Sequence, residues 1–191
     1  MAAQTRATQM GNYIKTAIEV LGPKGWVENK KPVFSNIPSF TGQKTGDFFQ
    51  HGFFFQNYTM FNLFAGFRAG EDGITPLAVD RGLPDDACDD SLYRLIGGWG
   101  NDKHWMDDSP DPETVAEKVA HRNDTEIFGF SWVSASELLA VDYGVPVKDK
   151  NPPFETTSLR YALGSLYWKH LQQLSKLGDP DKVRLLFCFT Q

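Results

Sequence analysis

The chain has only two cysteines in 191 residues, Cys88 and Cys188. Their sparseness excludes a disulfide framework. Cys188 lies in the apolar run Leu185-Leu186-Phe187-Cys188-Phe189 and reads as a buried small hydrophobe. Basic excess is also missing: Lys and Arg number 19 against 24 acids, for a net charge of −5. Generic binding to nucleic acid or to an anionic membrane needs the opposite balance, so neither is expected as a partner. No run reaches the roughly 18 consecutive apolar residues of a membrane span, and Met1-Ala2-Ala3-Gln4-Thr5-Arg6 has no apolar signal core. The expected location is the cytoplasm. Strong catalytic signatures are lacking too. There is no Gly-rich phosphate loop, no His-Glu-x-x-His, no pair of Cys-x-x-Cys and no Gly-x-Ser-x-Gly. No metal site and no cofactor are assigned.

Aromatic residues are abundant, with 15 Phe, 6 Tyr and 5 Trp. A chain of this length and apolar content buries a full core in one domain. The first twelve residues are polar and read as a frayed end, leaving residues 13–191 as that domain. Ile14, Thr16, Ile18 and Val20 alternate with other residue types as in a strand. Gly22-Pro23-Lys24-Gly25 is turn chemistry, so residues 13–34 are expected to form a β-hairpin. Apolar residues at helical spacing predict a helix over 58–69 stopped by Gly70, and another from a capping Asp90 to Ile96. Asp111-Pro112-Glu113 predicts a helix running to Arg122, and Ser134-Ala135-Ser136-Glu137 is a capping box before Leu138-Leu139. Residues 144–156 carry three prolines and read as a connector. The longest helix is predicted over 157–177, stopped by Gly178, and Val183–Phe189 is an apolar β-type run. The order of elements predicts an α+β fold. Its mainly antiparallel sheet would combine the N-terminal hairpin with the C-terminal strand, with helices packed on one face.

Three loop segments carry residues suited to chemistry. Asp80, Asp85, Asp86, Asp89 and Asp90 are dense carboxylates that could hold Mg²⁺ or Ca²⁺ through oxygen ligands, but their spacing is not that of a calcium loop, and a solvated turn that caps the next helix is the plainer reading. Trp99-Gly100-Asn101-Asp102-Lys103-His104-Trp105 places two indoles beside a carboxylate and an imidazole. The rings could stack on a base, and Asp102 with His104 could act as base and acid in a small hydrolase or phosphodiesterase. Ser131 and Trp132 precede a helix start whose N–H groups favour an anion. Arg68 and Arg81 are candidate phosphate forks, each with a structural ion pair as the plainer alternative. The Phe-rich stretch 48–55 is expected to pack on the core or on a second copy, which suggests a two-fold homo-oligomer.

Five short patterns occur in order across residues 55–189. They are Phe64-Ala65-Gly66-Phe67-Arg68, then Asp80-Arg81-Gly82-Leu83-Pro84-Asp85-Asp86, then Trp99-Gly100-x-Asp102-x-His104. Ser131-Trp132-x-Ser134-x-x-Glu137-Leu138-Leu139 and Val183-Arg184-x-x-Phe187-x-Phe189 follow. Together they resemble a family of small uncharacterised proteins of bacteria and tailed phages. The resemblance implies no activity; it implies a phage context, and hence the cytoplasm of a bacterial host. Small acidic phage proteins with aromatic, arginine-bearing pockets include sponges for the nucleotide signals of host immunity. By that analogy of context the expected function is capture of a nucleotide-derived signal, a cyclic nucleotide or an ADP-ribose derivative. The ligand-binding set would be Arg68, Arg81, Trp99, Asp102, His104, Trp105, Ser131 and Trp132. A hydrolase acting on such a nucleotide, or a protein–protein inhibitor using the Phe-rich surface, are the alternatives.

Overall fold

The computed structural model describes residues 12–30, 34, 52–53, 55–99, 111–148 and 155–190. Alternation at the start of the chain sets the architecture. In β1 (Tyr13–Gly22), Ile14, Thr16 and Ile18 face one side and Ala17 and Glu19 the other, all buried. A two-residue Pro23-Lys24 turn returns the chain into β2 (Gly25–Glu28), with Gly22 opposite Gly25. Gly25 at φ 115° takes a conformation that a side chain would resist. The hairpin strands end at Glu28, short of the expected residue 34.

The C-terminal strand β6 (Val183–Thr190) lies antiparallel beside β1, and β3 (Ile127–Ser134) lies antiparallel on its other side. The four strands run in the order β2-β1-β6-β3. The expected α+β sheet, hairpin and C-terminal strand together, is therefore present. The placement of the helices differs from expectation, because they cover both faces. Seven of the eight β6 residues are buried, and a strand apolar on both sides needs cover on both. Leu185, Phe187 and Phe189 pack with α1 (Tyr58–Ala65), α4 (Ala135–Ala140) and α5 (Leu159–Leu174). Leu186 and Cys188 pack with α2 (Asp89–Ile96) and α3 (Val115–Ala120). Burial pushes the Cys188 thiol up to about 12.

Local chemistry explains the helix ends. Asn57 caps α1 through its side chain, and Gly66, left-handed at φ 68°, ends it four residues before Gly70. Cys88, not Asp90, is the N-cap of α2, and Asp89 and Asp90 form its first turn. Thr114, not Asp111, caps α3 in a capping box with Glu117. The Ser134–Glu137 capping box forms as expected. Inside α5, Gly164 at φ 74°, ψ 167° breaks the helix, and the Asn57 amide donates to the carbonyls of Ala162 and Leu163 at the break. The proline-rich connector includes a small sheet of β4 (Pro146–Lys148) and β5 (Thr156–Ser158). Asn12, grouped with the frayed end by sequence, is buried.

His170 of α5 is fully buried and is more than a packing residue. Its Nδ1 accepts the Phe53 N–H at 2.6 Å, among the edges of Phe34, Phe53 and Phe55. Phe53 is itself 0% exposed, and Phe55 packs against the same core. These two members of the Phe-rich stretch serve the monomer's own interior; Phe48, Phe49 and Phe54 lie outside the described residues.

Candidate functional site

Arg81, Ser131 and Trp132 come together where β3 enters α4. Arg81 grips Glu137 with both terminal nitrogens, at 3.0 and 2.8 Å. It also donates to the carbonyls of Trp132 and Leu77 and lies over the Trp132 ring at 4.9 Å. Four N–H groups of the fork are thus committed inside the protein. One of them caps a carbonyl of the edge strand β3. Burial raises the Glu137 carboxyl, but the hydrogen bonds from Arg81 and the Ser134 N–H outweigh it and hold the group below its usual range. Ser131 is buried and donates to the Ala78 carbonyl at 2.7 Å. A bulge between Phe128 and Ser131 sets this arrangement. The one extra residue keeps Phe128, Ser131 and Val133 on the α1 face.

A second arginine also lies near Trp132. Arg184 lies over Trp26 at 3.9 Å and 5.8 Å from Trp132. Its Nε donates to buried Glu19 at 2.7 Å, and Nη1 donates to Asp86 at 2.7 Å. The other Glu19 oxygen accepts the Cys88 N–H, and Trp26 Nε1 donates to Asp86. The acidic loop is thereby divided among separate partners: Asp86 with Arg184, Asp89 with Lys118, Asp90 with Lys30. Among the described residues no three metal-ligating side chains converge.

Arg68 stands elsewhere. At φ 58°, it donates to the Asn12 side chain and lies over Tyr58 at 4.4 Å. Asn12 adjoins the Tyr13–Thr190 end of the sheet, whereas Glu137 follows the Ser134–Arg184 end. Six residues of β6 separate those ends, about 20 Å at 3.3 Å per residue. Arg68 and Arg81 do not meet on one phosphate. Trp99 bridges to Arg122 on the α2 side, touches Tyr93 edge-on and carries the Lys118 ammonium over its ring at 4.8 Å. Asp102, His104 and Trp105 lie outside the described residues.

A further opening lies on residues the sequence did not single out. A cleft of about 740 Å³ separates the β1–β2 hairpin from α2. β1 contributes Tyr13 and Lys15 to it, the tail of β2 contributes Glu28 and Lys30, and α2 contributes Asp90, Tyr93 and Arg94. Gly97 and Thr190 line it as well. Among the described aromatic rings, Tyr13 and Tyr93 stand with Tyr161 as the exposed ones, at 53% and 65%. The cations are anchored to different degrees. Lys15 donates to Asp124 at 2.6 Å, and this bond lowers the Asp124 carboxyl. Arg94 pairs with Glu28, whose side chain is 3% exposed. Lys30 meets Asp90 at 2.8 Å with both side chains 62% exposed. Hydrogen bonding to Asp90 raises the Lys30 ammonium above its ordinary value. The signal in the sequence was slight: polar residues at odd positions of β1, on the side that faces α2.

No protein-family model matches the chain, nor does any curated protein or solved structure. Among the described residues no helix is long and apolar enough to cross a membrane.

Proposed function

We propose that the protein captures a small anionic ligand of nucleotide type in the cleft between the hairpin and α2, and holds it without converting it. In a phage context this makes it a sponge for a nucleotide-derived signal, a cyclic nucleotide or an ADP-ribose derivative. The observation that carries the reading is the meeting of three cations, Lys15, Lys30 and Arg94, with the exposed rings of Tyr13 and Tyr93 in one opening. Its volume of about 740 Å³ lies within the range of small-molecule pockets. Cations suit phosphates, and exposed tyrosines suit a base or ribose face. The arginines first singled out, Arg68 and Arg81, are structural in this reading.

The test is calorimetric titration with AMP, a cyclic dinucleotide and ADP-ribose, followed by heat release and chromatography of the bound molecule. Intact ligand supports capture, and a converted ligand means an enzyme. Lys30→Ala should weaken binding about ten- to hundredfold, the worth of a charge-assisted bond. Tyr93→Ala should cost about 1–3 kcal/mol of stacking. Failure of all three ligands to bind at millimolar concentration would overturn the proposal.

A further inference from the structure

Two ion pairs cross this cleft from the tail of β2 to α2, and they differ in kind. Glu28 is almost wholly buried against Arg94, so that pair fixes the arginine in place. The Lys30–Asp90 pair is 62% exposed at both ends and is single-point. Such a pair contributes little and is open to exchange. Asp90 also has a second source of stabilisation. It sits in the first turn of α2, where the positive end of the helix favours a carboxylate whether or not Lys30 is bonded to it.

Resting on the reading of the cleft as an anion site, we propose that Asp90 is an internal competitor: its carboxylate occupies on Lys30 the position taken by an anionic group of the ligand. Capture then proceeds by exchange. The ligand anion displaces Asp90 from Lys30, Asp90 turns to the N-terminal turn of α2, and Arg94 stays where Glu28 holds it. The resting protein keeps its cleft cations neutralised, which suppresses binding of weak or singly charged anions. A ligand must carry enough charge to repay the displaced carboxylate, which favours pyrophosphates and cyclic dinucleotides, with two or more negative charges, over single phosphate diesters and simple carboxylates.

Asp90→Asn removes the competitor and keeps the side chain's shape. Asp89→Asn is the matched control: it lies one position away in the same turn, but its partner Lys118 is not part of the cleft lining. With ADP-ribose and inorganic pyrophosphate as calorimetric probes, Asp90→Asn should tighten binding roughly two- to fivefold, the size of an exposed ion pair. Asp89→Asn should bind as wild type does. In the Lys30→Ala background, Asp90→Asn should have no further effect. Binding by Asp90→Asn that equals or falls below wild type overturns the exchange while leaving the cleft reading intact, and equal tightening by Asp89→Asn overturns it as a mere net-charge effect. If neither wild type nor Asp90→Asn binds either probe, the exchange fails, and the cleft reading fails with it when AMP and the cyclic dinucleotide do not bind either. Binding by Asp90→Asn where wild type is silent supports both.

Discussion

Arg184→Met should unfold the protein far more readily than its single position suggests. The Arg184 side chain is 4% exposed, and Glu19 beneath it is 0% exposed. Methionine replaces the stem of the arginine but none of its charge. Glu19 is then a fully buried carboxylate with the Cys88 N–H as its one remaining donor in this network. Breaking a buried pair from one side costs about 3–5 kcal/mol. Asp86, 66% exposed, returns to water, and its loss adds at most about 1 kcal/mol. For a chain of this size each kcal/mol lowers the midpoint by about 2–4 °C, so a drop of roughly 6–24 °C is expected. Thermal and urea denaturation followed by circular dichroism measure it. The cause is the stranded charge, not the missing contact, and a second variant isolates it. Arg184→Met with Glu19→Gln keeps an acceptor for Cys88 and removes the charge, and should recover at least half of the loss. A single variant that loses less than about 1 kcal/mol, or a double variant no more stable than the single, would refute the argument.

Arg81→Ala should destabilise the protein by about 1–2 kcal/mol in urea, a value reduced by the partial exposure of its pair with Glu137. Ligand capture by the folded variant should be unchanged; lost capture at full stability would make Arg81 a binding residue. His170→Leu leaves the buried Phe53 N–H without the imidazole acceptor and should cost about 1–3 kcal/mol in the same assay. The pH profile should fall at both ends. Glu137 and Asp124 titrate below their ordinary values in the folded state, so the stability they contribute is complete above about pH 4.5 and is lost as pH falls through their folded-state values. Tyr143 is pushed up to about 12 by burial, against the opposing hydrogen bond from Tyr167, so its share is complete below about pH 10 and is lost as pH rises toward 12. Glu137→Gln should flatten the acid limb and Tyr143→Phe the alkaline one, read from urea midpoints across pH.

Elements whose cause is local were legible in the sequence. The alternation of Ile14, Thr16 and Ile18 needs no distant information, and neither does the Ser134–Glu137 capping box. Errors arose where two local signals competed. Asp111-Pro112 and Thr114 with Glu117 both announce a helix start, and the reciprocal hydrogen bonds of the capping box prevailed. Gly66 and Gly70 both offer a stop, and α1 ends at the nearer one, where the Gly66 N–H reaches the Asn62 carbonyl. The helix predicted over 157–177 is broken at Gly164, where the Asn57 amide donates to the carbonyls of Ala162 and Leu163. Helix cover on both faces followed from β6, whose continuous apolar run marks a strand buried on both sides rather than one face of a two-layer sheet.

The site was harder to read for a reason that also separates its residues from the rest. Arginines and tryptophans drew attention because their chemistry suits a ligand, but the same chemistry suits an internal joint. The partners that decide between the two are far along the chain: Glu137 for Arg81, Asn12 for Arg68, Glu19 for Arg184. Arg81 and Arg184 are each matched by several fixed acceptors, Arg68 is paired with Asn12, and a group so matched has little left to offer a ligand. Lys30, a lysine after a strand, and Tyr93, a tyrosine on a helix, read as ordinary solvated residues. The sheet register that sets Glu19 opposite Glu28, with α2 laid across β1 and β2, brings them to one opening. There the lysine and its partner are both 62% exposed, and the Tyr93 ring is 65% exposed. Residual capacity, the bonding a side chain can still make after its own fold has been satisfied, is what distinguishes this cleft from the arginine stack, and it is a property of the folded register rather than of residue type.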